Sequence, residues 1–247
     1  MNESAFILKD INQYLVFISQ VKNLSENTTK SYERDLRKLS AFIKELKISN
    51  YSDISPEICS AWIGNLYNQN NNPKSIQRHL SSAKGFFRFL KKNNLVDSSP
   101  FELITAPKSP NTLPEVLSPE NVEQLLNFKP TSLIEIRDLA IVELMYSSGL
   151  RVSETVNINL SDFEDNMSFL RVFGKGSKTR LVPLGRFAIN AIKNWLVERK
   201  KIVTKTEALF LNSKGTRLGV RSVQIRLKKM AVKQGLPPIH PHMLRHS

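Results

Sequence analysis

Cysteine is nearly absent from this chain of 247 residues, where Cys59 stands alone. One thiol excludes a disulfide scaffold and any cysteine-rich zinc site, and it suits a reducing compartment. Long apolar runs are missing as well. None approaches the ~18 residues that a membrane span needs. The N-terminus sets Glu3 and Asp10 around a short apolar stretch, where a secretory signal would carry basic residues. These absences lead to the expectation of a soluble, cytoplasmic protein. Acids are scarce in one region only. From Arg171 onward there are 18 Lys+Arg against Glu198 and Glu207, while residues 1–170 hold 18 Lys+Arg against 20 acids. Charge added only for solubility has no reason to segregate in this way. The overall excess, 36 basic against 22 acidic residues, points to a polyanionic partner, with nucleic acid foremost. Tyrosine is the last scarcity: Tyr14, Tyr32, Tyr51, Tyr67 and Tyr146, with none beyond.

At 40% apolar residues there is ample material for packed cores, and the length suits one large domain or two ordinary ones. Helical periodicity fills the first hundred residues, with segments expected at 4–22, 28–46, 56–69 and 74–94. Ser55-Pro56-Glu57 reads as an N-cap followed by proline at the first helical position. Pro100, Pro107, Pro110 and Pro114 then forbid a continuous helix. The expected division is a helical domain over 1–95, a linker over 96–117 and a second domain over 118–247. Ser118-Pro119-Glu120 opens that second domain with another cap. Helices are expected at 119–127, 132–148, 151–158, 186–202 and 219–234, and a further one begins near the last residue. Strand-like runs at 168–173 and 180–184 flank Gly174–Thr179 as a hairpin, and a short strand is expected at 208–212. The fold class is therefore mainly α, with a small antiparallel β-sheet in the second domain.

Three basic sets stand out. On a helical wheel, Lys74, Arg78, Lys84, Arg88, Lys91 and Lys92 gather opposite Ile76, Leu80, Ala83, Phe86, Phe87 and Leu90, and no acid interrupts that helix. The 28–46 helix carries a ridge of Lys30, Arg34, Arg37 and Lys44, diluted by Glu33, Asp35 and Glu45. The third set is Arg217, Arg221, Arg226, Lys228, Lys229 and Lys233. Such faces show affinity for phosphate, without showing sequence reading or chemistry.

Chemistry could come from Arg151, after the Ser148-Gly149-Leu150 turn; from Lys175 and Lys178 on the hairpin; and from His242 and Arg245, three apart and so on one helix face. The Gly174–Thr179 stretch is no Walker loop, because Thr179 stands where the pattern needs glycine. The three histidines between 240 and 246 are split by Pro241 and have no neighbouring carboxylate, so no metal is expected. Two guanidiniums can clamp the nonbridging oxygens of a phosphodiester, and a lysine can protonate its leaving oxygen.

Three ordered motifs carry a family resemblance. They are Gly149-Leu150-Arg151-x-Ser153-Glu154, then Gly174-Lys175-Gly176-x-Lys178-x-Arg180-x-x-Pro183-x-Gly185, then His240-Pro241-His242-x-Leu244-Arg245-His246-Ser247. Together they resemble the tyrosine recombinase (phage integrase) family, and within it the Xer recombinases. Ser31-Tyr32-Glu33-Arg34-Asp35-Leu36 is similar to that family's core-binding, SAM-like domain. The resemblance implies a clamp on double-stranded DNA and strand exchange through a 3′-phosphotyrosyl link. It also implies tetramers of two paired recombinases, and no metal or nucleotide cofactor, since the covalent link conserves the bond energy. Carried over by motif, Arg151 and Arg245 correspond to phosphate-clamping arginines, Lys175 to the general acid, and His242 to the histidine of His-x-x-Arg. Lys30, Arg34, Arg37, Lys74, Arg78, Lys84, Arg88, Lys92, Lys178 and Arg180 are expected at DNA. The family's tyrosine nucleophile follows its His-x-x-Arg by several dozen residues. Tyr146 precedes the first catalytic arginine and is expected in the core. The 247 residues are thus expected to bind DNA without cleaving it, as a truncated recombinase or, alternatively, as an inactive DNA-binding module derived from one.

Overall fold

The computed structural model of the chain describes residues 5–106, 116–174 and 179–246. The chain divides into two compact units, Met1–Asn111 and Thr112–Ser247. Among the described residues, no helix is long and apolar enough to cross a membrane.

The first unit is built from α1 (Ala5–Gln20), α2 (Glu26–Glu45), α3 (Pro56–Asn68) and α4 (Pro73–Lys92). Side-chain caps start three of them. Ser25 and Ser55 each accept from the backbone N–H three residues on, and Asn72 accepts from that of Lys74. Proline holds the first helical position of α3 and α4, where its missing N–H costs nothing. The apolar face of α4 is buried throughout, with Ile76, Ala83, Phe86, Phe87 and Leu90 fully removed from water. Truncating either phenylalanine to alanine would cost about 3–5 kcal/mol. The stretch after α4, expected to be linker from residue 96, packs onto this core. Phe101 is fully buried between Trp62 (ring centroids 5.8 Å apart) and Phe87 (5.2 Å). One aromatic residue thus anchors a segment whose prolines and serines carry no helical period.

The second unit has α5 (Pro119–Leu126), α6 (Leu133–Ser148), α7 (Val152–Asn157), β1 (Phe163–Glu164), β2 (Phe169–Phe173) and β3 (Thr179–Pro183). It continues with α8 (Arg186–Arg199), α9 (Val220–Lys233) and α10 (Pro241–His246). The strands form one antiparallel sheet in the order β1-β2-β3, with Leu170 opposite Val182 and Val172 opposite Arg180. Leu170 and Val172 point into the core, and the alternate residues Phe169, Arg171 and Phe173 point outward. Sequence periodicity missed β1, which has only two residues.

The strand expected at 208–212 is not formed. That segment makes isolated bridges, Asn159 with Ala208 and Leu211 with Arg217. Side chains take up much of its remaining bonding. Arg199 Nε and Nη2 donate to the Ala208 carbonyl, Nη2 also donates to that of Thr206, and Arg137 Nη1 donates to that of Leu211. Trp195, itself fully buried, donates Nε1–H to the Leu209 carbonyl at 2.9 Å. Guanidinium and indole donors here take three carbonyls, while the Leu209 N–H donates to the Ile158 carbonyl and the Phe210 carbonyl accepts from the Leu218 N–H.

Candidate nucleic-acid interface and phosphate site

The cations of α2 and α4 divide into committed and open groups. Lys30 is held by Glu26 at 2.5 Å, and Arg37 donates from Nε and Nη2 to a single oxygen of Glu33 at 3.0 and 2.8 Å. These pairs lie on the exposed surface and contribute little to stability. Among the described residues, Arg34 bonds only its own helix, through the Lys30 carbonyl and the Ser31 hydroxyl. On α4, Lys74, Arg88, Lys91 and Lys92 are exposed. Lys84 reaches the Glu102 carbonyl at 3.2 Å, and Lys92 lies over the Phe17 ring at 5.9 Å.

Arg78 departs from the expected open face. Its Nη1 donates to Asp35 Oδ2 at 2.5 Å and to the Ser31 carbonyl at 3.3 Å, fastening α4 to α2. Asp35 is buried beneath it, and His79 Nδ1 lies 3.1 Å from the other carboxylate oxygen, off the line that a hydrogen bond needs. Burial pushes the Asp35 carboxyl up to about 6, against the pull of Arg78. Burial likewise pushes His79 down to about 4, aided by the positive charge of Arg78 and Lys38. Trp62 meets the His79 ring edge-on at 5.9 Å.

In the second unit, Gly149 ends α6 at φ 58°, a left-handed conformation that strains any L side chain. The chain thereby turns sharply. Leu150 drops into the core, and Arg151 stands at the N-cap of α7 with its side chain 51% exposed. Glu154 closes the first turn of α7. Its Oε2 accepts the Arg151 backbone N–H at 2.9 Å, and its Oε1 accepts Arg151 Nη1 at 3.1 Å. The same carboxylate receives Arg180 from β3 as a fork, Nη1 to Oε1 at 3.1 Å and Nη2 to Oε2 at 2.9 Å. Burial alone would raise the Glu154 carboxyl, but the bonds from Arg180 and Arg151 outweigh it and hold the group at about 2.

Arg245 and His242 lie on α10. Leu244 is buried with Val142 of α6 and Leu227 of α9, and so fixes the helix that presents them. His242 is exposed, and Arg245 is half-buried with its Nη1 out of contact with water and lacking a hydrogen-bond partner among the described residues. A donor of this kind is costly to leave unmet. Lys175 and Lys178 lie outside the described residues.

Arg180, expected at DNA, bonds Glu154 while keeping 41% of its side chain exposed. One expectation is corrected here. Tyr146, expected in the core, is 39% exposed. Its helix α6 scatters Glu135, Arg137, Asp138 and Glu143 among apolar residues on all sides, so periodicity could not tell the inner face from the outer. In the third basic set, Arg217 donates to the carbonyls of Val156 and Ile158 and to Asn159 Oδ1. Arg226 pairs with Asp138, and Lys233 with Glu135. Arg221, Lys228 and Lys229 remain exposed. Glu154 and Asp35 were the residues that sequence reasoning undervalued. For Glu154 the sign was available, since it stands three residues after Arg151 at the start of a helix.

Residues 115–247 match the phage integrase family, and residues 11–94 match the family's N-terminal SAM-like domain. The chain belongs to the phage integrase family of tyrosine recombinases. It is 35% identical over 238 residues to tyrosine recombinase XerC of Shewanella amazonensis, covering 96% of this chain and 79% of that protein. XerC of Alcanivorax borkumensis is 35% identical over 254 residues, covering 100% of this chain and 81% of its own. Among solved structures, XerH site-specific recombinase bound to its difH substrate superposes with a TM-score of 0.77 at 19% identity, over 100% of this chain and 84% of that one. A lambda integrase dimer bound to a COC′ core site gives 0.75 at 16% identity, over 96% and 83%. These structural likenesses establish the fold.

Proposed function

We propose that the chain acts in site-specific recombination of double-stranded DNA in the cytoplasm, with residues 1–247 supplying the DNA grip and the phosphate-activating groups. The carrying observation is the Arg151–Glu154–Arg180 cluster, in a chain 35% identical to XerC over 96% of its length. Arg151 offers an exposed guanidinium and Arg245 an unmet donor, as two ligands to the nonbridging oxygens of one phosphate would. Lys175 serves as the acid for the leaving 5′-oxygen, and His242 hydrogen-bonds the phosphoryl group. The exposed cations of α2 and α4, with Lys178 from the hairpin, neutralise flanking phosphates. No role as nucleophile is assigned to Tyr146.

The test is fluorescence anisotropy with a labelled duplex. Affinity should fall about a thousandfold or more between about 50 and 200 mM salt, as expected for a protein that neutralises several phosphates. Selection from a random duplex pool should return one preferred motif. A flat salt response, or a pool enriched only in base composition, would overturn the proposal.

A further inference from the structure

The cluster around Arg151 holds two cations and one anion, and they are unequally shared. Arg180 occupies both oxygens of Glu154, at 3.1 and 2.9 Å. Arg151 uses one side-chain nitrogen on one oxygen, at 3.1 Å, and keeps about half of its side chain in solvent. The three side chains sum to one positive charge. The two cations are similarly exposed, Arg180 at 41% and Arg151 at 51%, so what separates them is the bonding: the forked partner commits two nitrogens to the carboxylate and Arg151 commits one. Removing Arg180 would leave Glu154 with a single partner. The carboxylate would then draw Arg151 into a forked pair of its own, and the cluster would be neutral.

We propose that Arg180 is a positioning residue that neutralises Glu154 so that Arg151 stays available to a DNA phosphate, and that Arg180 does not itself grip DNA. This rests on the reading of Arg151 as a phosphate ligand. Arg180 lies on β3 and opposite Val172 of β2. The same bond therefore ties the hairpin strand to the α6–α7 turn across 26 residues of sequence.

The experiment measures what Arg151→Ala costs in three backgrounds, using the full chain and a labelled duplex at fixed salt, with each variant first shown to melt cooperatively. In the parent, Arg151→Ala should weaken binding about tenfold, as for loss of one guanidinium contact. In Arg180→Ala the same change should cost less than about twofold, because Arg151 is already cancelled. In Arg180→Ala/Glu154→Gln the cost should return to about tenfold, since no carboxylate remains to capture Arg151. Recovery by a second substitution is something a general loss of structure would not produce. If Arg151→Ala costs as much in Arg180→Ala as in the parent, Arg180 is an independent phosphate contact and the inference falls. If Arg151→Ala costs nothing in a parent that still binds DNA in a salt-dependent way, the phosphate-ligand reading of Arg151 falls, and this inference with it. Should Arg180→Ala fail to fold, Arg180→Lys keeps the charge and should preserve the parent's tenfold cost. A cost below about twofold there would overturn charge balance as the mechanism.

Discussion

Of the buried carboxylates that face arginines among the described residues, which include Asp138 with Arg137 and Arg226, Asp35 and Glu154 respond in opposite ways. Asp35 in the first unit meets one guanidinium nitrogen, and burial wins, raising the group to about 6. Glu154 in the second unit meets two guanidiniums and a backbone N–H, and the donors win, holding it at about 2. Both side chains are almost wholly removed from water, at 1% and 5% exposed. Desolvation is the leading influence at both; the single guanidinium at Asp35 does not offset it, and the two guanidiniums and backbone N–H at Glu154 do. Asp35 fastens one helix to another. Glu154 stands among the groups proposed to touch a phosphate, where a carboxylate that protonated near neutral pH would change the charge of the cluster.

The largest effect that would break this contrast is on stability. Glu154→Gln should cost about 2–3 kcal/mol, because it leaves two guanidiniums without their counter-charge. Asp35→Asn should cost less than about 1 kcal/mol near pH 7, because an ionised Asp35 already sits in an unfavourable setting. Urea denaturation of both variants measures the difference, and equal losses would end the comparison.

Acid titration sharpens it further. The folded-state value of Glu154 lies below its ordinary 4.5. Its contribution is thus fully present above that pH and is lost as pH falls toward about 2. The parent should lose stability over that window, and Glu154→Gln should lose measurably less.

The smallest effect is a cancellation. Asp35 is raised from 3.8 to about 6, so its contribution is present at low pH and is lost as pH rises through that span. His79 is lowered from 6.5 to about 4, so its contribution is lost as pH falls through nearly the same span. Together they should leave the first unit's stability almost flat there. His79→Gln should expose a stability that falls with rising pH, and Asp35→Asn one that rises. Trp62 fluorescence in a Trp195→Phe background, followed through urea melts, reads the first unit. A flat profile in both variants would remove the titration from either residue.

Local features were largely legible in the sequence. The caps at Ser55 and Ser118, proline at the first helical position, and the apolar face of α4 all depend on residues within one or two turns, and spacing reports them directly. Pairings across long sequence gaps were not. Arg78 and Arg180 read as free cations because their partners lie 43 and 26 residues away. Tyr146 was misplaced for another reason: α6 mixes charged and apolar residues on every side, and such a helix has no period to read. The 208–212 segment looked like a strand because Ala-Leu-Phe-Leu has a strand's composition, and composition does not say which donors will meet its carbonyls.

Those donors have a consequence for the protein's behaviour in a crowded cell. Ala208-Leu209-Phe210-Leu211 is the kind of short, uncharged, apolar run that recruits a matching strand from a neighbouring chain and seeds aggregates. With Arg137, Trp195 and Arg199 donating to its carbonyls and its four side chains fully buried, it offers little bare edge for another chain to extend. Each of the three donors thus also shields an edge, and loss of one should lower the soluble fraction recovered on expression.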